Sequence, residues 1–314
     1  MTADLYIVDK LLHYSISEKL GEGKNGRTYL ALDTGLQRPV VIKLLEHPEC
    51  PGEDWKRGFL EKMKRLSGVR CDSIGSFYAM EQDDGNDFVV REHAAGKSVY
   101  SLSQEDPIKY RWFLQVARQA AAALEVAHAS GQFHGNINSG NLIVDDSWNA
   151  RLVDFCLNRT SVRSADSYGE RDLAFAAPEL LRGEPASAAA DLYSLGVVLY
   201  HLFTGQLPFV AESTDLLRQA ILTQPVPFGG ERAGKFPSDA RLLIGQLLSK
   251  EPVDRFTSAE ELSSTLQGMQ SYHTELHEDP HGKKAMFSAR QYAWMAILAL
   301  LLIVFWLVVT MDAG

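Results

Sequence analysis

The sequence has 314 residues, a length that suits one large two-lobed domain or two smaller ones. Hydrophobic residues make up 46% of it and charged residues 23%, as in ordinary globular proteins. The net charge of −9 argues against a general nucleic-acid-binding protein, which needs a clustered basic face. The three cysteines lack metal-ligand spacing and favour a reduced, cytosolic compartment.

A glycine-rich stretch opens the first recognisable unit. Gly21, Gly23 and Gly26 follow a strand-like segment that begins at Tyr14. Glycines allow a tight turn whose N–H groups can approach phosphate oxygens. A dinucleotide-binding fingerprint has the same spacing but requires a helix next, whereas residues 39–45 are a β-branched strand. The stretch therefore resembles the glycine-rich loop between the first two strands of protein kinases.

Lys43 ends a Val-Val-Ile-Lys segment that resembles the Val-Ala-Ile-Lys strand of protein kinases. The resemblance implies that Lys43 holds the α and β phosphates of ATP and pairs with a helix glutamate; a solvated lysine is the alternative. Glu61 is the candidate partner in the helical segment 55–66, with a solvated helix position as its alternative. Thr28 and Val41 replace the usual Val and Ala that cap adenine in this family.

Two further strands, around a turn at residues 83–86, lead to the segment Arg91-Glu92-His-Ala. This segment resembles the hinge between the two lobes of a kinase, which implies that Glu92 lies at the adenine site. Kinases commonly have Met or Thr at the position of Arg91. Arg91 either closes the back of the adenine pocket or extends outward to solvent.

Residues 134–141 read His-Gly-Asn-Ile-Asn-Ser-Gly-Asn, and Asp154-Phe-Cys follows. The two segments resemble the catalytic loop and the metal-binding motif of protein kinases. The resemblance implies that Asn141 and Asp154 are Mg²⁺ ligands. Asn136 stands where the family has the catalytic Asp, and Asn138 stands where it has a Lys. The sequence thus predicts a kinase fold with an altered reaction centre.

The second half of the sequence contains landmarks of the large kinase lobe. Ala-Pro-Glu179 resembles the Ala-Pro-Glu motif, and the segment from Asp191 resembles the central helix. The resemblance implies that Asp191 steadies the backbone of the catalytic loop and that Glu179 pairs with Arg255.

Asp172 lies where Ser/Thr kinases place a threonine, by counting back from Glu179. We expect it within hydrogen-bond reach of Asn136, where it could act as a relocated catalytic carboxylate. The alternative is a charged loop residue that faces water.

The C-terminal segment 292–309 has no charged residue and approaches the length that crosses a bilayer. A buried core helix is the alternative. Lys283, Lys284 and Arg290 precede the segment, so the positive-inside rule places the preceding domain in the cytoplasm. The predicted organisation is an N-lobe, a C-lobe, a juxtamembrane linker, a transmembrane helix and a short tail, at residues 1–93, 94–270, 271–291, 292–310 and 311–314.

The predicted fold class is α+β, with a small β-rich N-lobe, a large mostly helical C-lobe and one transmembrane helix. It resembles bacterial Ser/Thr kinases that have one membrane span. The expected function is that of a single-pass, membrane-anchored pseudokinase that binds ATP and Mg²⁺ and acts as a signalling scaffold or nucleotide-dependent switch. We expect protein partners or substrates and no nucleic acid.

Two alternatives stay open. One is a slow or unconventional Ser/Thr kinase that transfers the γ-phosphate of ATP to protein. The other, which is less favoured, is a small-molecule phosphotransferase of the aminoglycoside or choline type. The loop of that family is similar to the segment here at His134, Gly135, Gly140 and Asn141. Glu179 and Arg255 do not fit the second alternative.

Overall fold

The computed structural model describes residues 10–23, 26–45, 53–155 and 170–278. The chain divides into two compact units, Met1–Gln270 and Ser271–Gly314. Of the second unit, the described part is the end of one helix. No helix within the described residues is both long enough and apolar enough to cross a membrane. The predicted span at residues 292–310 lies outside the described residues.

A six-stranded antiparallel sheet forms the first part of the fold, with the strand order β1-β2-β3-β4-β6-β5. Side chains of a strand alternate between its two faces. Val40, Ile42 and Leu44 of the fourth strand belong to an apolar core on one face, so Val41 and Lys43 lie on the other. The strands are β1 Lys10–Leu11, β2 Tyr14–Gly23, β3 Gly26–Asp33, β4 Arg38–Leu44, β5 Phe77–Asp83 and β6 Asn86–Glu92.

Helix α1, Glu53–Ser67, lies between β4 and β5 in the sequence. Its buried residues are Phe59, Met63 and Leu66, a spacing that puts all three on one face of a helix. The Phe59 ring packs edge-on against Phe77 of β5, with 5.4 Å between ring centroids. The helix is therefore attached to the sheet by an apolar stripe, as its sequence periodicity predicts.

A second, three-stranded sheet follows, formed by β7 Lys97–Ser98, β8 Leu142–Val144 and β9 Ala150–Leu152. Gly96 connects it to β6 with φ at +127°, a conformation open to glycine. A Cβ atom at this position would overlap the carbonyl oxygen of Val144. The crossing between the two lobes thus requires glycine.

Helices form the larger lobe around α6, whose side chains are all buried from Ala190 to Thr204. A helix that is apolar on every face belongs in a core. At Gly196 a Cβ atom would lie only 2.7 Å from the Cβ of Leu247, so the helix that contains Leu247 packs directly on the α6 backbone. The helices are α2 Val99–Ser103, α3 Tyr110–Ala129, α4 Glu170–Leu173, α5 Pro178–Leu181, α6 Ala188–Thr204, α7 Thr214–Thr223, α8 Ser238–Leu247 and α9 Ala259–Glu278.

The predicted pair between Glu179 and Arg255 is confirmed. Arg255 Nη1 and Nη2 donate to the two carboxylate oxygens of Glu179 at 2.6 and 2.8 Å. Both side chains are almost fully buried. Nε of Arg255 also donates to the carbonyl of Ser249. Such a satisfied buried pair fixes geometry more than it adds stability.

Helix α9 runs farther than the predicted domain organisation suggests. It continues eight residues past Gln270, to Glu278, into the stretch predicted as a polar linker. The sequence offers a reason, because the next helix-breaking residues are Pro280 and Gly282.

Candidate functional site

The loop at residues 134–141 is positioned by one buried carboxylate, Asp191, in the first turn of α6. Its Oδ2 accepts from the backbone N–H of His134, and its Oδ1 accepts from the N–H of Gly135, both at 2.8 Å. His128 Nε2 of α3 lies 2.9 Å from Oδ2. The predicted role of Asp191 in steadying this loop is confirmed, and the core helix α6 thereby sets the loop's position.

His134 ties the loop to the chain just before Asp154. Its side chain is fully buried, and Nε2 lies 2.9 Å from the carbonyl oxygen of Val153. Its Nδ1 accepts from the N–H of Asn136 at 3.2 Å. Burial lowers the pKa of His134, although the Asp191 carboxylate opposes this effect. A neutral imidazole with its proton on Nε2 satisfies both bonds.

Three asparagine side chains occupy the loop. Nδ2 of Asn138 and Nδ2 of Asn141 donate to the carbonyl oxygen of Asn136, at 3.3 and 2.9 Å. Oδ1 of Asn138 accepts from the N–H of Gly140 at 2.9 Å. The amides therefore close the loop on itself. Where the resemblance calls for a carboxylate and an ammonium group, the loop presents neutral amides.

Asp154 is bound on both carboxylate oxygens by cations. Its Oδ2 accepts from Lys43 Nζ at 2.7 Å, and its Oδ1 accepts from Arg91 Nε at 2.7 Å. The side chain of Asp154 is 4% exposed, that of Lys43 is 10% exposed and that of Arg91 is 12% exposed. A carboxylate and two cations thus form a cluster that is largely shielded from water.

Strand register explains why these groups meet. Val41 of β4 pairs with Arg91 of β6, and Lys43 pairs with Thr28 of β3. Paired residues lie on the same face of a sheet, as do residues two apart on one strand. Thr28, Val41, Lys43 and Arg91 therefore share the face opposite the apolar core. Gly21, paired with Thr28, extends this row toward the glycine-rich hairpin.

The electrostatics of the cluster keep Asp154 ionised. Burial favours a higher pKa for this carboxyl group, but the charges of Lys43 and Arg91 outweigh burial. The pKa of Asp154 therefore lies well below its ordinary value of 3.8. Its backbone adopts φ of +63°, in the left-handed region that is uncommon for a residue with a side chain. The buried carboxylate is held in place by charge as well as by hydrogen bonds.

Arg91 also reaches the hinge. Its Nη1 donates to the carbonyl oxygen of Glu92 at 3.0 Å. The Glu92 carboxylate faces other partners, Arg151 and the N–H of Ser76. Of the two alternatives for Arg91, outward extension to solvent is wrong, because the side chain is largely buried and bridges Asp154 and the hinge carbonyl of Glu92. Closure of the adenine pocket by Arg91 stays a prediction. The adenine-binding role of Glu92 stays a prediction.

The predicted pairing of Lys43 with Glu61 is wrong, because Lys43 pairs with Asp154 instead. Glu61 is exposed on α1. It lies two residues from both Phe59 and Met63, which turns it about 200° from the buried stripe. The helix face that packs on the sheet is apolar, so Glu61 points to solvent.

The expected contact between Asp172 and Asn136 is also absent. Within the described part of the chain, no hydrogen bond joins the two side chains. Asp172 is half-buried in α4, and its backbone carbonyl accepts from the N–H of Phe175. Its role as a relocated base therefore has no contact to support it.

The glycine hairpin and Lys43 fit a phosphate group, but the residues do not fit the predicted Mg²⁺ site. Magnesium prefers carboxylate and other oxygen ligands. Both oxygens of Asp154 already accept from cationic donors, and the positive charges of Lys43 and Arg91 repel a further cation at that carboxylate. The arrangement disagrees with the predicted ligand role of Asp154.

The sequence around Arg91 contains an indication that its side chain is buried. Arg91 ends the run Phe88-Val-Val-Arg in a strand whose preceding three residues are all buried. A charged side chain in such a strand needs a buried partner of opposite charge. Asp154 is that partner, 63 residues away in the sequence.

The chain is similar to known protein kinases over most of its length. A model of the protein kinase domain matches residues 14–266. A probable serine/threonine-protein kinase of Clostridium acetobutylicum is 27% identical over 271 residues, covering 85% of this chain and 41% of the relative. Serine/threonine-protein kinase PrkC of Bacillus subtilis is 26% identical over 259 residues, covering 81% and 40%. PksC of Streptomyces coelicolor is 30% identical over 264 residues, covering 79% and 47%.

The chain spans less than half the length of each of these three relatives. Among solved structures, the kinase domain of Mycobacterium tuberculosis PknI aligns with a TM-score of 0.62 and 22% identity. The alignment covers 82% of this chain and 96% of that domain. This likeness concerns the fold, and it confirms the predicted N-lobe of β-sheet and the predicted helical C-lobe.

Proposed function

The chain belongs to the protein kinase family, and we propose that it is a pseudokinase within that family. It binds a nucleotide in the cleft and acts on protein partners as a scaffold or switch, with impaired phosphoryl transfer. The proposal extends to a single-pass anchor at residues 292–310 that keeps the kinase-like domain at the cytoplasmic face of the membrane, and to protein partners without nucleic acid.

The observation that carries the proposal is the state of the reaction centre. Asn136 provides an amide where a general base needs a carboxylate. Asn138 is a neutral amide, so it offers no charge to a phosphoryl group. Both ends of its side chain are hydrogen-bonded within the loop. Asp154 is committed to Lys43 and Arg91. Phosphoryl transfer depends on positioning of the reactants and on electrostatic stabilisation of the transition state. The amides at positions 136 and 138 and the committed carboxylate of Asp154 each weaken one of these two effects.

Support for nucleotide binding comes from the groups that remain. The hairpin pairs Gly23 with Gly26, and Gly26 has φ of +121°, so the backbone can turn tightly beside a phosphate. Lys43 lies on the same face as Thr28 and Val41, which occupy the positions where the family has the Val and Ala that cap adenine. ATP would contribute its phosphates and its base, and the chain's own residues would bind and orient them.

An active but slow kinase is the second candidate, because the scaffold of the large lobe is intact. Asp191 holds the catalytic-loop backbone through two hydrogen bonds, and Arg255 binds Glu179 at two points. These bonds do no chemistry, but they are the contacts that the family resemblance implies for the loop and the large lobe. Restoring the missing side chains should therefore restore some activity.

The experiment measures radiolabelled phosphate incorporation by the original chain and by variants. Asn136→Asp with Asn138→Lys restores the loop chemistry, and adding Arg91→Met also frees one oxygen of Asp154. We expect no incorporation in the original, a little in the double variant and more in the triple variant.

Incorporation by the original chain that disappears in Asn136→Ala would contradict the pseudokinase proposal. Incorporation that disappears in Asp172→Ala would also contradict it and would make Asp172 the base.

A further inference from the structure

We infer that Arg91 takes the place of a metal ion in this cleft, so that Lys43 and Arg91 bind the phosphates of a nucleoside triphosphate without a divalent cation. The inference rests on the proposed nucleotide binding and specifies its chemistry. Both carboxylate oxygens of Asp154, the predicted magnesium ligand, accept hydrogen bonds from cations instead.

The charge of the cluster is the first argument. Lys43 and Arg91 provide two positive charges against the single negative charge of Asp154, which leaves an excess of one positive charge. The kinase pattern instead pairs the lysine with a helix glutamate and adds a catalytic Asp. Here Glu61 is exposed and position 136 is an asparagine. A cleft that ordinarily needs metal ions to accept phosphate is already cationic.

Burial strengthens this argument. Lys43 and Arg91 are only 10% and 12% exposed, so water screens their charges poorly. An uncompensated charge away from water is unfavourable unless an opposite charge joins it. A phosphate-bearing anion supplies that charge, whereas a third cation such as Mg²⁺ would add to the excess.

Hydrogen-bonding capacity is the second argument. An arginine has five N–H donors, and those of Arg91 that bond within the described residues go to Asp154 and the carbonyl of Glu92. An ammonium group has three donors, and Lys43 uses one on Asp154. Counted over the described residues, both cations therefore keep donors for a ligand. Arginine is suited to planar, paired contacts with phosphate oxygens.

Arg91 is also rigidly placed. Its backbone pairs with both β4 and β5, since Val41 and Phe77 lie opposite it. Its guanidinium is held at one end by Asp154 and at the other by the hinge carbonyl of Glu92. A preorganised cation loses little freedom when a phosphate binds, so it acts as a bound ion would.

The test is calorimetric titration of the full chain, purified in detergent, with ATP in EDTA and with ATP in Mg²⁺. Adenosine serves as the probe without phosphates. We expect ATP to bind in EDTA at least as tightly as in Mg²⁺, and adenosine to bind far more weakly. In Arg91→Met, binding in EDTA should weaken at least about tenfold, the loss of a charge-assisted hydrogen bond. Added Mg²⁺ should recover part of that loss.

Arg38→Met is the matched control. Arg38 lies on the same strand as Lys43, five residues away, and its side chain faces Asp33. This places it about 17 Å from Lys43 along the strand. Its removal should leave ATP binding unchanged in both buffers.

Binding by the original chain that requires Mg²⁺ would overturn this inference while leaving nucleotide binding in place. Tighter binding of ATP by Arg91→Met in EDTA would also overturn it, because Arg91 would then block the cleft. No binding of ATP in either buffer would overturn the proposed nucleotide binding and the inference together. The comparison of EDTA with Mg²⁺ uses the original chain, so it stands even if a variant fails to fold.

Discussion

Asp154, Lys43 and Arg91 interact as a unit in which one carboxylate binds two cations and the net charge is +1. Removing one cation leaves an ion pair behind, whereas removing the carboxylate leaves two like charges together in a site shielded from water. The altered reaction centre at Asn136 and Asn138 could be predicted from the sequence, because the loop motif is a short, continuous segment. The contact of Arg91 could not, since it depends on how β4 and β6 align and on a residue far along the chain.

Asp154→Asn tests this unit directly. We expect the free energy of unfolding to fall by about 3–5 kcal/mol, as when one partner of a buried ion pair is removed. Urea unfolding at pH 7 measures it. Asp172→Asn is the matched control, because Asp172 is half-buried and, within the described residues, makes no ion pair with Lys43 or Arg91. It should change stability by less than about 0.5 kcal/mol. A loss below about 1 kcal/mol for Asp154→Asn would contradict the account.

The pH dependence of stability follows from the same carboxylate. The pKa of Asp154 in the folded protein lies below the ordinary value of 3.8, so its stabilising effect is complete above that value and is lost as pH falls. The stability difference between the original chain and Asp154→Asn should be constant from pH 7 to about pH 5. It should then shrink, by up to about 1.4 kcal/mol per pH unit, below pH 4. A difference that grows on acidification would be the opposite sign and would refute the assignment.

At the scale of elements, helix α6 positions the reaction centre from within the core. Its first turn supplies Asp191 to the catalytic loop, and Gly196 allows α8 to pack against its backbone. Periodicity and motif spacing predicted α1, the hairpin of β5 and β6, and the pair of Glu179 with Arg255, because these signals are local or fixed by family pattern. The pairing of Glu61 with Lys43 was a wrong prediction, because it followed the family pattern, whereas the apolar stripe of α1 turns Glu61 away from the sheet.

Gly196→Ala should destabilise the protein by about 1–3 kcal/mol, because the added methyl group meets Leu247 in a packed core. The control is Gly58→Ala in α1, where a Cβ atom meets nothing within 4 Å. That change should stabilise by about 0.5–1 kcal/mol, since alanine loses less freedom than glycine on entering a helix. Chemical denaturation of the two variants measures both effects. Equal effects from the two substitutions would show that the contact with α8 is not tight.

At the scale of the whole molecule, a kinase-like domain precedes an uncharged apolar segment. The family and its two lobes could be predicted because several motifs occur in order over residues 14–266. The extent of α9 could not, since a polar sequence is compatible with a linker or with an exposed helix.

Membrane association tests the proposed anchor. The full chain should remain with membranes after a high-pH carbonate wash, whereas a chain lacking residues 292–310 should be released. The reason is that about 20 apolar residues are stably held in the hydrocarbon core. Protease added to intact cells or spheroplasts should spare the kinase-like domain. Full release of the original chain by carbonate, or digestion of the domain, would count against the anchor or its orientation.

The central claim is that phosphoryl transfer is impaired, and the rate of transfer from radiolabelled ATP by the full chain tests it most directly. Kinases turn over at roughly 1–100 per second, and a general base contributes about 10²–10⁴-fold. With the base replaced, Asn138 neutral and Asp154 committed to two cations, we predict transfer to itself or to added protein slower than about 10⁻⁴ per second. A rate above about 10⁻⁴ per second that is lost in Lys43→Met would contradict the account.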